Sequence, residues 1–139
     1  MSDLTQILDR QAIEEQIIRI GVLLDDDAFD TASSIFTEDV AIETPGGAAT
    51  GIDAVTRQAE KNHDGIVTQH IFSNVLVELN GDSARARADV VGRFAKAGAL
   101  NRPFRTVGGR YEYGVTRTED GWRINEMKMT PRWLEGELT

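Results

Sequence analysis

Apolar positions recur along this chain with two different periods. In the first half, Leu4, Ile7 and Leu8, then Ile13, Ile17 and Ile18, fall three, four or five residues apart. That spacing predicts one amphipathic helix or two linked ones. Asp9 is placed to cap the second of these, with Ala12 and Ile13 opening its buried stripe. The run Ile20-Gly21-Val22-Leu23-Leu24 is apolar all round, which predicts a deeply buried helix end. Phe29, Ala32, Ile35 and Phe36 give a second, short helical stripe. Val40–Glu43 suits a short strand, Pro45-Gly46-Gly47 a turn, and Gly51-Ile52-Asp53 opens a third helix running to about Asn62.

The second half alternates with period two. Thr68–Leu79 reads as a strand ending at Asn80-Gly81, a strong hairpin signal. In Ser83–Ala95, Ala84, Ala86, Ala88 and Val90 share one parity, and Arg85, Arg87 and Asp89 the other, as in a half-exposed strand. Ala97–Pro103 is a loop, and Phe104–Thr118 a long strand whose Gly108-Gly109 pair predicts a bulge or sharp bend. After the turn Glu119-Asp120-Gly121, Trp122–Thr130 is a last strand, stopped by Pro131. Helices first and long hairpin-linked strands afterwards is the α+β pattern. The expected architecture is a cone-shaped α+β barrel, in which a strongly curved, mostly antiparallel sheet wraps three N-terminal helices. The open end of such a cone, lined by apolar residues, is a ligand pocket.

Composition narrows the class. At 139 residues, 40% hydrophobic and 27% charged, residues 1–139 read as one soluble globular domain. No apolar run reaches the ~18 residues of a membrane helix. The N-terminal residues lack the pattern of a signal peptide, so a cytoplasmic location is the expectation. The net charge is −8; residues 1–70 hold 14 acidic and 4 basic side chains, residues 71–139 hold 9 and 11. Without a basic cluster, nucleic acid is a poor partner. The absence of cysteine excludes disulfides and thiol catalysis.

Candidate chemistry is sparse. His63, near the end of the third helix, reads as an exposed residue with no special role. His70 lies inside an apolar strand, where alternation groups it with Phe72, Asn74 and Leu76. Asp25 follows the buried helix end, while Asp26 or Asp27 suits a cap for the next helix. A carboxylate drawn into the cone needs a partner, and His70 is the obvious one; a structural core histidine is the competing reading. Neither a phosphate-binding glycine loop nor a metal-ligand spacing is present, so no cofactor and no metal are expected. Cofactor-free proton transfer in an apolar pocket is the chemistry left.

The chain resembles the SnoaL-like domains of the nuclear transport factor 2-like superfamily. The resemblance rests on Asp9-Arg10-Gln11-Ala12-Ile13, Leu24-Asp25-Asp26-Asp27-Ala28-Phe29-Asp30, Ile35-Phe36-Thr37-Glu38-Asp39-Val40, Gly51, Thr68-Gln69-His70-Ile71 with Asn74, Gly81-Asp82-Ser83-Ala84, Gly108-Gly109-Arg110-Tyr111 and Asp120-Gly121-Trp122-Arg123-Ile124. The superfamily holds polyketide cyclases, scytalone dehydratase, lindane dehydrochlorinase and ketosteroid isomerase. In its dehydratase and dehydrohalogenase branch an Asp ends the first long helix and a His sits on the first long strand. The resemblance carries these roles to Asp25 and His70 and implies general base catalysis by a dyad. Dehydratase members often carry a Tyr about five residues before the Asp; here that position is Ile20. Asn74, Arg110, Tyr111 and Tyr113 are the candidate replacements.

The expectation is a lyase, isomerase or cyclase acting on an apolar small molecule, with Asp25 and His70 as base and Leu24, Phe72, Asn74, Arg110, Tyr111 and Trp133 as substrate contacts. A non-catalytic ligand-binding or oligomerisation domain of the same fold is the alternative. The outer sheet face and Trp133-Leu134 suggest a homodimer or homotrimer. Trp122 is expected in the core.

Overall fold

The computed structural model describes residues 2–137. Helix α1 runs unbroken from Asp3 to Asp25, and Ser2 caps it by accepting the Thr5 N–H at 3.1 Å. A 3-10 helix, Phe29–Ser34, leads into β1 (Phe36–Thr44), β2 (Gly47–Thr50), α2 (Ile52–Asn62), β3 (Ile66–Asn80), β4 (Ser83–Lys96), β5 (Arg105–Thr118) and β6 (Gly121–Gly136). The six strands form one sheet in the order β2-β1-β6-β5-β4-β3, antiparallel throughout except for the parallel β1–β6 pair. This is the α+β architecture expected, with the second of the three helices in 3-10 form.

The core lies between α1 and the inner sheet face. Ile13, Ile17, Ile20 and Leu23 of α1 are buried, as are Ala84, Ala86, Ala88 and Val90 of β4 and Tyr111, Tyr113 and Val115 of β5. Leu4, Ile7 and Leu8 remain more than half exposed, because the first turns of α1 precede its buried stripe. At Gly21 a Cβ would stand 2.8 Å from the Phe72 ring, so α1 approaches β3 closely only because that position has no side chain.

Several local expectations are corrected. Asp9 does not cap a helix. It sits inside α1, buried, and its carboxylate accepts Arg117 Nη1 at 3.1 Å, Arg117 Nη2 at 2.8 Å and Trp122 Nε1 at 3.1 Å. No Gly or Pro interrupts Leu8–Ala12, so the helix continues and the Asp side chain serves a tertiary contact. Trp122 is in the core, as expected. Neither Asp26 nor Asp27 caps the 3-10 helix, which starts after Ala28 with no side-chain cap. The β3–β4 turn is Gly81-Asp82, one residue later than expected, since Asn80 pairs with Ser83.

Bulges in β3 and β6 move side chains between faces. Between Ser73 and Leu76, β3 carries an extra residue, and Asn74 adopts φ 53. Thr68, His70 and Phe72 therefore share the inner face with Val75 and Val77, and Asn74 and Leu76 turn outward. The Gly108-Gly109 bulge appears where expected: Gly109 pairs with Pro131 and Gly108 with Trp133, leaving Arg132 as the extra residue. Pro131 does not stop β6. It lies beyond Lys128, where β1 pairing ends, so its missing N–H costs no ladder bond on that side.

Candidate active site

Asp25 is the last residue of α1, and His70 lies on β3 beside it. The two meet through both oxygens of the Asp25 carboxylate. Asp25 Oδ1 accepts the His70 ring Nδ1 at 2.7 Å and the Thr68 hydroxyl at 2.9 Å, and Oδ2 accepts the His70 backbone N–H at 2.8 Å. Thr68 and His70 are two apart on one strand, so one inner face supplies both donors. Burial pushes the Asp25 carboxyl up, but the bonds from the His70 ring, the His70 N–H and Thr68 outweigh it and hold it below the ordinary 3.8. A carboxylate can only accept, so His70 Nδ1 carries a proton and, in the neutral ring, Nε2 is a free lone pair.

The imidazole forms part of the wall of a cavity of about 670 Å³ between the helices and the inner sheet face. Apolar side chains from every layer line it: Ile20, Leu23 and Leu24 of α1, Phe29, Val90 of β4, and Met127 and Met129 of β6. At Gly92 a Cβ would stand 3.2 Å from His70 Cδ2 and 3.4 Å from Nε2, so that glycine leaves the room the ring occupies. Phe94 meets the ring edge-on, with centroids 5.9 Å apart.

The other expected site residues separate. Leu24 and Tyr111 line the cavity. Tyr111 is buried, stacked on Tyr113 with centroids 5.7 Å apart, and burial pushes its hydroxyl up to about 12. Phe72 does not reach the cavity; its ring packs against Tyr111 at 5.8 Å and borders a shallow groove between α1 and β3. Asn74 and Arg110 are not at the site. The bulge turns Asn74 outward, where it donates to Asp89 Oδ2 at 2.8 Å, and Arg110 pairs with the other Asp89 oxygen at 3.4 Å. Trp133 lies over Gly108 and is half exposed, while its neighbour Leu134 lines the cavity; the two-residue period after the Arg132 bulge separates them. Tyr113 points into the closed core rather than the cavity.

Several lining groups were not singled out from the sequence. His63, expected to be exposed, is half-buried on the cavity wall. Arg105 also lines the cavity, its guanidinium 4.2 Å from the Phe94 ring centre. Gln58 and Asn62 of α2 donate to the Gly46 carbonyl, at 2.8 Å and 3.4 Å, and hold the Pro45-Gly46 turn at the rim. Thr68 was legible in principle, since it shares the parity of His70. Among the described residues, no group of three or more His, Asp or Glu side chains could hold a metal ion, and no helix is long and apolar enough to cross a membrane.

Comparison with known proteins bears on the family and the fold. The sequence pattern of the SnoaL-like domain matches residues 5–128. The terrestric acid biosynthesis cluster protein E of Penicillium crustosum is 27% identical over 140 residues, covering 93% of this chain and 86% of that protein. A scytalone dehydratase-like protein from Novosphingobium aromaticivorans superposes with a TM-score of 0.86 at 21% identity, covering 98% of this chain and 92% of that one. A hexachlorocyclohexane dehydrochlorinase (LinA) type 2 gives a TM-score of 0.86 at 18% identity, covering 98% and 93%. At these identities the two structures speak for the fold. The domain match spans most of the chain, and the chain belongs to the SnoaL-like domain family, built on the nuclear transport factor 2-like fold.

Proposed function

We propose that the protein is a lyase-type enzyme that removes a proton from an apolar small molecule, with His70 as general base and Asp25 as its orienting partner. The observation that carries this reading is the His70 Nε2 lone pair on the wall of an apolar cavity, its tautomer set by a carboxylate bonded to the same residue twice. An ionised carboxylate beside an apolar pocket is costly unless it is paired and used. The solved structures that share the fold include a scytalone dehydratase-like protein and a dehydrochlorinase, both names of elimination chemistry.

In the proposed step, Nε2 takes a proton from a carbon next to a carbonyl or a leaving group. The C–H electron pair becomes the new double bond as halide departs, or as the hydroxyl departs and takes the proton back from the His70 imidazolium to leave as water, or it attacks an electrophilic carbon in ring closure. Asp25 stabilises the imidazolium that forms. The Tyr111 hydroxyl stays protonated at neutral pH and makes no hydrogen bond to the described residues, so it supplies a donor for the oxygen that gains charge. That role falls on Tyr111 because Ile20 occupies the place of the tyrosine seen in dehydratase relatives.

The test is proton exchange. The wild-type chain is incubated in deuterated water with apolar ketones that carry a β-hydroxyl or β-chloro group, and carbon-bound deuterium and eliminated product are followed by NMR. Exchange or elimination that disappears in His70→Gln and Asp25→Asn supports the reading. Tight binding with no exchange, or exchange unaltered in His70→Gln, overturns it in favour of a binding domain.

A further inference from the structure

Helix α1 is apolar on two opposite sides. Ile13, Ile17 and Ile20 on one side are buried in the core. On the other, Leu4, Ile7, Leu8, Ile18 and Val22 stay between 47% and 65% exposed. The helical repeat of 3.6 residues per turn puts the two sets on opposite faces. An apolar stripe along the outside of a helix marks a contact surface.

The order of residues along that stripe says what covers it. Leu4, Leu8, Gln11, Glu15, Ile18 and Val22 follow one another at steps of four, three, four, three and four, the spacing of a two-helix seam, and all six are exposed. The stripe is also symmetric about its middle: an apolar pair, a polar pair, an apolar pair. A second copy of α1 laid antiparallel sets Leu4 against Val22, Leu8 against Ile18 and Gln11 against Glu15, and a two-fold axis repeats each layer. Apolar side chains then meet apolar ones, and the Gln11 amide donates to the Glu15 carboxylate of the other copy. Arg19, 3.3 Å from Glu15 within its own chain, adds a cation to that centre. A parallel pair would set Glu15 against Glu15, and like charges disfavour it. An unrelated partner accounts for none of this self-complementarity.

The seam ends beside the candidate site. Ile18 and Val22 line the shallow groove between α1 and β3, whose other walls include Asp25 and His70. Leu4 of the second copy, opposite Val22, comes to that groove, beside a carboxylate that keeps 22% of its side-chain surface exposed in the single chain.

We infer that the exposed face of α1 is the contact surface of a homodimer, in which two α1 helices pair antiparallel about Gln11 and Glu15. The inference rests on α1 and not on the reaction proposed above.

Sedimentation equilibrium of the whole chain is expected to give the mass of two chains at about 200 μM, since an interface of this size is of the weak class. Ile18→Glu sets a carboxylate against Leu8 on both sides of the axis and is expected to raise the dissociation constant ~10-fold or more. The far-UV circular dichroism is expected to stay unchanged, because Ile18 is more than half exposed. The chain has no cysteine, so Leu8→Cys and Ile18→Cys report the register. An oxidised mixture of the two single variants is expected to give a disulfide-linked dimer joining positions 8 and 18, and each variant alone little or none. A monomer at 200 μM overturns the inference, as does an assembly that survives Ile18→Glu, which the outer sheet face would hold. If Ile18→Glu fails to fold, the crosslinks decide: links between like positions as ready as those between 8 and 18 overturn it.

Discussion

Asp25 grips His70 at two points, the ring nitrogen at 2.7 Å and the backbone N–H at 2.8 Å, so one carboxylate fixes both the tilt of the imidazole and the place of its strand. Asp25→Asn keeps the shape but has one acceptor oxygen instead of two. It must give up one of these bonds, and the freed ring samples the other tautomer. The expected result is a loss of about 100-fold or more in any proton-transfer activity, by analogy with orienting carboxylates elsewhere. The far-UV circular dichroism should be unchanged, and the ¹⁵N spectrum of the His70 ring should show mixed tautomers. A ring spectrum identical to wild type contradicts the orienting role.

Gly92 sets the other side of that ring. Gly92→Ala places a Cβ 3.2–3.4 Å from the imidazole, which must yield by a few tenths of an ångström, and Gly92→Val demands more. Activity should fall about threefold to tenfold in the first and further in the second, since small misplacements of a reacting group are expensive. Thermal stability should change less than activity. Full activity in Gly92→Val would mean that the ring position is not critical.

Acid should destabilise the fold, and the sign follows from the carboxylates. Bonds from Arg117 and Trp122 hold Asp9 below 3.8, and those from His70 and Thr68 do the same for Asp25 against the push of burial. The unfolded chain then binds protons more readily than the folded one, so stability is complete above about 3.8 and is lost as pH falls through the lower folded values. His63, also lowered, adds a smaller loss beginning below 6.5. Melting temperatures measured from pH 7 to pH 3 should decline in both windows. Asp9→Asn should melt lower at pH 7 and show a flatter decline below pH 4.

The β3 bulge depends on Asn74 at φ 53, a region where a β-branched residue is strained. Asn74→Val should cost about 1–2 kcal/mol in urea unfolding. Asn74→Gly, which relieves the backbone while losing the Asp89 bond, should stay within about 0.5 kcal/mol of wild type. If the valine variant unfolds like wild type, the left-handed residue is not what fixes the inner-face register.

The element order was legible in the sequence because each element announces itself locally: the alanine parity of β4, the glycine pair of β5 and the turn residues at Gly81 and Gly121. Asp25 and His70 were legible as partners because a charge at a buried helix end needs one. What was hidden depends on long-range pairing. Simple alternation put Asn74 inward with His70, but one extra residue opposite Ala88 reverses everything after Ser73. Pro131 read as a terminator because nothing local says that its strand has lost its neighbour there. His63 read as exposed because its own helix places it at an end, and the wall it joins comes from β3 and the 3-10 helix.

The Asp9 clamp with Arg117 and Trp122 lies 16 residues before Asp25 on the same unbroken helix, about 24 Å at 1.5 Å per residue. α1 therefore works as a rigid gauge: it is bolted to the sheet in its N-terminal half, and its far tip delivers the carboxylate to a set depth. The lining of the cavity can be exchanged side chain by side chain to suit a different ligand without resetting that depth. A defect at Asp9, by contrast, would be felt a helix-length away as a carboxylate that arrives out of position.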